Sequence, residues 1–139
     1  MENIHASSVE LDGLGVLIKG KSGSGKSRLT LKLIVLGANL IADDQTSVFM
    51  ENDQVFLQAP VSLPPGLEIR GVGIVNAPSS KKARLKVVVD LDNSESKRLP
   101  YAKRSINILG YSFPFYFFRD IKEPANAIYA ILKFGVSDT

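Results

Sequence analysis

Apolar residues along the chain come in short runs of two different periods, and the period assigns the element. Residues 14–19 read Leu-Gly-Val-Leu-Ile-Lys, a continuous apolar run of strand length. Residues 26–36 instead place Leu29, Leu33 and Leu36 on one stripe, the spacing of a helix with a single apolar face. Gly37 then stands where helices commonly leave through a left-handed residue. Residues 39–42 predict a second strand, closed by the pair Asp43-Asp44. Residues 46–50 and 55–58 predict a hairpin across 51–54. Pro60, Pro64, Pro65 and Gly66 mark a loop, after which 67–75 reads as mostly extended. Residues 76–82 are small, polar and flexible by composition. Val87, Val88 and Val89 in succession predict a strand over 85–91 buried on both faces. Two more strands are predicted at 106–109 and 113–118, the second confined to an edge by Pro114. Pro124 and Gly135 frame a terminal helix carrying Ile128, Ile131 and Leu132. The order strand, loop, helix, strand, then hairpins predicts a single α/β domain over 1–139 with a mixed sheet and flanking helices.

Composition narrows the class. The 139 residues are 45% apolar and 22% charged, enough for one ordinary core and against extended disorder. The longest nearly apolar run, 33–42, is broken by Gly37 and Asn39. It falls far short of the roughly 20 residues of a membrane helix. Residues 1–10 carry no apolar stretch of the secretory kind. With no cysteine and one histidine, disulfides, thiolate nucleophiles and multi-histidine zinc sites are excluded. A soluble, cytoplasmic protein is the expectation. Net charge is +3, yet residues 81–104 hold eight basic side chains against three acidic ones. An acidic or phosphate-rich partner and a merely solvated face both fit that stretch. No interleaved aromatic platform or recognition helix accompanies it, so neither nucleic acid nor membrane is expected as a partner.

The chemistry concentrates in Gly20-Lys21-Ser22-Gly23-Ser24-Gly25-Lys26-Ser27, a complete G-x-x-x-x-G-K-[ST] motif (Walker A) between a predicted strand and a predicted helix. Its glycines let several N–H groups converge on a phosphate chain, and the following helix adds its dipole. Lys26 is placed to reach β- and γ-phosphates, and the Ser27 hydroxyl to ligate Mg²⁺. Phosphoryl transfer also needs a carboxylate near the metal or the attacking group. Asp43-Asp44 and Asp90 both end apolar strands and both qualify. On these residues alone the chain is a Mg²⁺-nucleotide protein with a P-loop kinase-like fold and an unspecified acceptor.

Taken together, His5, the glycine-rich motif, Leu40-Ile41-Ala42-Asp43-Asp44 and Leu67-Glu68-Ile69-Arg70-Gly71-Val72-Gly73-Ile74-Val75 resemble the HPr kinase/phosphorylase C-terminal domain. The resemblance runs from about His5 to Asp92 and is closest to short bacterial members without the N-terminal domain. It implies an ATP- and Mg²⁺-dependent kinase for a serine of HPr, the phosphocarrier of the sugar phosphotransferase system, with reverse phosphorolysis. It also implies that Lys26 grips the phosphates and that Ser27 and Glu68 hold Mg²⁺. Asp44, 18 residues beyond Lys26, is then the base for the seryl proton, and Asp43 orients metal-bound water, although the two aspartates could exchange roles. His5 maps onto an active-site histidine, and Arg98 matches an active-site arginine. Arg70 contacts phosphate or forms a structural ion pair. Longer relatives are hexamers, so self-association is expected.

Two features depart from the family pattern. Arg28 stands where an acidic residue usually follows the loop serine, and the glycine-rich segment near the C-terminus of longer members is not recognisable around Phe118-Arg119-Asp120. They keep two alternatives in play, a nucleotide-binding regulatory module with little catalysis and a P-loop kinase for a small molecule. The aromatic run Phe113, Phe115, Tyr116, Phe117, Phe118 reads as core or subunit interface rather than a ligand stack.

Overall fold

A computed structural model of the chain describes residues 1–60, 66–98 and 103–137. The first half forms β1 (Glu2–Ile4), β2 (Ala6–Leu11), β3 (Leu14–Lys19), α1 (Lys26–Val35), β4 (Asn39–Ala42), β5 (Thr46–Glu51) and β6 (Gln54–Gln58). The second half forms β7 (Leu67–Ile69), β8 (Gly73–Val75), β9 (Lys82–Asp90), β10 (Ser105–Ile108), β11 (Tyr111–Phe117) and α2 (Pro124–Phe134). The sequence-predicted loop at Pro64 and Pro65 lies outside the described residues, as do Leu99 and Pro100 beside Arg98.

The centre is the parallel pair β3 and β9, running from Leu14 opposite Arg84 to Lys19 opposite Asp90. Side-chain alternation sends Val16, Ile18, Val87 and Val89 to one face. There they pack under α1 (Leu29, Leu33) and α2 (Ala125, Ile128). Leu17, Leu85 and Val88 go to the other face, where Val48 and Leu57 of the β5–β6 hairpin and Ile108 of β10 cover them. Both central strands are therefore buried on both sides, which is why they read as unbroken apolar runs. Beyond β3 the sheet continues to β2 and β4, and beyond β9 to β6, β5 and β1. β11 takes the upper half of the same β9 edge, pairing Phe115–Phe117 with Val88–Asp90. Residues 111–114 pair with β10 and 115–117 with β9, so each half of β11 has one strand partner. Pro114 stands opposite Ser105 of β10, in the half that β9 does not reach, where an N–H can be spared.

α1 starts at Gly25 (φ 104°) without a side-chain cap. It ends through Gly37 (φ 110°), with Ala38 N–H bonding Leu33 O and Gly37 N–H bonding Ile34 O. That pair is the Schellman arrangement expected of a C′ glycine.

Three segments differ from the pattern-based expectation. β1 and β2 were not predicted, although Asp12-Gly13 (φ 54° and 81°) makes the two-residue turn joining β2 to β3. β2 lies between β3 and β4 and is antiparallel to both, so β3 and β4 run the same way and end on the same side. Residues 67–75 form a separate two-stranded hairpin around a turn at Gly71 (φ 88°) rather than one extended run. The polar stretch after it is tied down where it meets β4, by Leu40 N–H to Pro78 O and Ser80 N–H to Leu40 O.

Candidate active site

Three segments converge at the shared end of β3 and β4. The first is the glycine-rich loop, 20–27. A Cβ on Gly20 would collide with the Ser24 side chain and meet Leu91 Cβ at 3.3 Å, so the loop closes this tightly only with glycine. Gly23 and Gly25 have open space around them but φ of 86° and 104°, where an L-residue is strained. The Asp92 carboxylate accepts Lys21 N–H with both oxygens at 3.0 and 3.2 Å, anchoring the loop to the turn after β9. Inside, Lys26 is 6% exposed and donates from Nζ to Gly20 O at 2.6 Å and Lys21 O at 3.2 Å.

The second segment is Asp43-Asp44. Adjacent carboxylates repel, and here the backbone fans them apart. Asp43 Oδ1 accepts the Ser7 hydroxyl at 3.2 Å and the Ser27 hydroxyl at 3.3 Å. Asp44 adopts φ 71° and turns the other way, with Oδ1 at 2.7 Å from His5 Nε2 and 3.8 Å from Lys26 Nζ. An ionised carboxylate can only accept, so Nε2 carries the shared proton. The third segment supplies His5, the single residue between β1 and β2, and Ser7 two positions on. Ser7 is fully buried, and besides donating to Asp43 it accepts Asp44 N–H at 3.0 Å.

Lys26, Ser27, Asp43, Asp44 and His5 therefore stand together. Glu68 does not join them: it is exposed on β7 opposite Ile74 and makes no hydrogen bond or ion pair among the described residues. Arg70, beside the β7–β8 turn, and Arg98, in the loop after β9, are likewise exposed and unpaired among them. Asp90 is committed to a turn, accepting Asp92 N–H at 2.7 Å and Asn93 Nδ2 at 2.9 Å. Ser7 and Asp92 escaped sequence reasoning. Asp-Gly at 12–13 was the signal that would have made 6–11 a strand paired with 14–19 and so put Ser7 at the end of the sheet where the glycine-rich loop begins.

Ser27 Oγ and Asp43 Oδ1 are two hard oxygen ligands 3.3 Å apart. Among the described residues no group of three or more His, Cys, Asp or Glu side chains converges. Such a pair suits Mg²⁺, which keeps waters and completes its shell with substrate phosphates.

Among the described residues, two of the eight basic side chains in 81–104 are held in ion pairs. Lys82 pairs with Glu51, and Arg104 bonds Glu95 at 3.0 Å while lying 4.3 Å over the Phe117 ring. The Arg104 bond holds the Glu95 carboxyl below its usual pKa. The aromatic run divides between the cores, Phe113 and Phe115 on one side and Tyr116 and Phe118 on the other. Burial pushes the Tyr116 hydroxyl pKa up.

Residues 1–126 match the HPr Serine kinase C-terminal domain family. The chain belongs to that family. An HPr kinase/phosphorylase of Pediococcus pentosaceus is 47% identical over 76 residues, 54% of this chain and 24% of the relative. One of Verminephrobacter eiseniae is 36% identical over 120 residues, 77% of this chain and 38% of the relative. The chain thus matches well under half the length of these HPr kinase relatives. The solved Hpr(Ser) kinase/phosphatase of Coxiella burnetii superposes with a TM-score of 0.81 at 28% identity, covering 96% of this chain and 95% of that one. The mixed α/β domain with a curled sheet and two helices is therefore the HPr kinase fold.

Proposed function

We propose that this domain transfers the γ-phosphoryl group of Mg²⁺-ATP to a serine hydroxyl of HPr or an HPr-like carrier of the sugar phosphotransferase system, and so regulates carbohydrate use. The observation that carries the reading is Asp44, held between His5 at 2.7 Å and Lys26 at 3.8 Å at the mouth of the glycine-rich loop. A serine hydroxyl is a weak nucleophile and needs a base within hydrogen-bond reach. Asp44 accepts the seryl proton as the seryl oxygen bonds to the γ-phosphorus. The bond from that phosphorus to the β–γ bridging oxygen breaks, and its electron pair leaves on ADP. His5 keeps the Asp44 carboxylate turned toward the acceptor. Lys26 gives up Gly20 O and Lys21 O and takes phosphate oxygens instead, neutralising charge that grows during transfer. Ser27 and Asp43 would hold a magnesium ion, which would supply positive charge against the negative charge of the donor phosphates.

Glu68 and Arg98 enter this reading through the family resemblance alone: Glu68 would add a carboxylate to the metal's oxygen donors, and Arg98 would meet charge on the transferring group. Phosphorolysis is the same path reversed, with inorganic phosphate in place of ADP as acceptor and Asp44 returning the proton. The family likeness supports self-association into a hexamer.

The test is intact-mass spectrometry of HPr-type carriers after incubation with the protein and Mg²⁺-ATP, wild type beside Asp44→Asn. A gain of one phosphate on a serine, slowed about 10²- to 10⁴-fold in the variant, is expected. Undiminished transfer by Asp44→Asn would remove the base. Tight ATP binding with no carrier modified would favour a regulatory nucleotide-binding module.

A further inference from the structure

The peptide units that open the glycine-rich loop are held from two sides. On the inner side, Lys21 O accepts Ser24 N–H at 3.0 Å and Lys26 Nζ at 3.2 Å, and Gly20 O accepts Lys26 Nζ at 2.6 Å. On the outer side, Lys21 N–H is shared between the two carboxylate oxygens of Asp92 at 3.0 and 3.2 Å. Asp92 belongs neither to the loop nor to the aspartate pair. It follows β9, in a turn that is itself tied down. Leu91 N–H bonds Lys19 O at 2.9 Å, Asp92 N–H bonds Asp90 Oδ1 at 2.7 Å, and Asp92 O accepts Arg119 Nη1 at 3.2 Å. The end of β11 adds two more ties, Phe118 N–H to Asp90 O at 2.8 Å and Arg119 N–H to Asn93 O at 3.1 Å. The carboxylate therefore reaches the loop from a fixed mount at the end of the central strand pair.

The two sides respond differently to a phosphoryl donor. When Lys26 leaves Gly20 O and Lys21 O for phosphate oxygens, both of its inner ties to the loop are cut. The Asp92 bond does not pass through Lys26 and survives the exchange. We propose that Asp92 is a positioning residue for phosphoryl transfer, holding the glycine-rich loop in its phosphate-binding shape after Lys26 has changed partners. The inference deepens the kinase reading above and rests on it. A hydrogen bond to a carboxylate is stronger than one between neutral groups. A loop already held in its bound shape leaves less ordering to be done as the ligand arrives. The same carboxylate brings a negative charge near a polyanion, which by itself opposes binding. Asparagine at this position keeps the acceptor oxygen and removes the charge, so the anchoring role and the charge are experimentally separable. Asp90, which ends β9, is turned into the same mount by its bonds to Asp92 N–H and Asn93 Nδ2, and it is the acid two positions on that serves the loop.

The test titrates pyrophosphate and a non-hydrolysable ATP analogue, each with Mg²⁺ at fixed ionic strength, into wild type, Asp92→Ala, Asp92→Asn and Lys26→Ala. Asp92→Ala should weaken both ligands by the same factor, about tenfold or more. Its single-turnover rate at saturating ATP should stay within about threefold of wild type, because Asp44 and His5 are untouched. Asp92→Asn should bind both ligands within about threefold of wild type. Amide exchange read by NMR follows the anchor itself. In the pyrophosphate complex, Lys21 N–H should exchange slowly in wild type and about tenfold faster or more in Asp92→Ala. Unchanged affinity in Asp92→Ala would overturn the proposal. Tighter binding in both variants would do the same, leaving Asp92 as a charge that opposes the donor. Equal protection of Lys21 in the Asp92→Ala complex would assign that N–H to phosphate, and a fall in the saturated rate as large as the fall in affinity would reduce Asp92 to a structural prop. Lys26→Ala should weaken both ligands. If it weakens neither, or if wild type binds no pyrophosphate, the kinase reading falls and takes the inference with it.

Discussion

Replacing Ser7 with alanine removes one oxygen atom, and that oxygen is shared by both site aspartates. It donates to Asp43 Oδ1 at 3.2 Å and accepts Asp44 N–H at 3.0 Å from a fully buried position. The bond from the Asp44 amide contributes about 1 kcal/mol net and the bond to the Asp43 carboxylate about 1.5–3 kcal/mol. Losing both, a stability loss of about 2.5–4 kcal/mol is expected. For a domain of this size that lowers Tm by roughly 5–16 °C. The catalytic consequence is separate. Asp44 keeps φ 71° with the Ser7 bond as its local brace, and an angstrom of misplacement at a reacting group can cost about 10²-fold in rate. Single-turnover transfer to a carrier should slow about 10- to 100-fold. Metal-free nucleotide affinity should change by less than about twofold, because the loop contacts of Lys26 do not pass through Ser7. Ser7→Thr keeps the hydroxyl and should recover most of the rate. An unchanged turnover number in Ser7→Ala, or a rate loss matched by an equal loss of ATP affinity, would refute the positioning argument.

Four further outcomes follow. His5→Gln should lower the turnover number about tenfold while sparing nucleotide affinity, since the lost bond is to Asp44 and not to the loop; stopped-flow transfer and calorimetry together check this. Gly25→Ala forces a side chain onto φ 104° at the start of α1, costing about 1–2 kcal/mol and weakening pyrophosphate binding, as thermal melts and titration would show. Ile128→Ala empties a fully buried position between α2 and the sheet and should cost about 2–5 kcal/mol in urea denaturation. Glu95, with its folded pKa below 4.5 through Arg104, lends stability above pH 4.5 that is lost as pH falls through the folded value. Glu95→Gln should therefore flatten the fall in stability on the acid side, and an unaltered acid limb would count against the Arg104 bond.

How far the sequence reveals the fold depends on where one residue's neighbours suffice. β3, α1, β4 and β9 could be read because burial on both faces, or an apolar stripe closed by Gly37, leaves a local trace. β1 and β2 could not be read from apolar content, because 6–8 is Ala-Ser-Ser and its small polar side chains are buried for hydrogen bonding. Ser8 and Thr46 bond each other at 2.9 Å, and that partnership spans the sheet. The loop motif and the aspartate pair are contiguous and so visible. Their mutual placement is not, because it depends on β2 slipping between β3 and β4 to align the two strand ends. Glu68 and Arg98 illustrate the opposite difficulty. A motif names them as partners of the site, while the fold leaves both exposed.

The bonds that Lys26 makes within its own loop set a condition on what it can bind. Because the Lys26 ammonium already bonds two carbonyls of its own loop, donor arrival is an exchange of acceptors rather than the filling of a void. A competitor must offer two oxygens at comparable spacing before the exchange breaks even. Chloride or acetate at cellular concentrations should therefore leave Lys26 where it is, while a phosphoanhydride displaces both carbonyls at once. The loop rejects the commonest anions of the cell by being, in their absence, its own ligand. Titrating the Lys26 Nζ resonance with chloride and then with pyrophosphate would test this, and a shift already complete with chloride would contradict it.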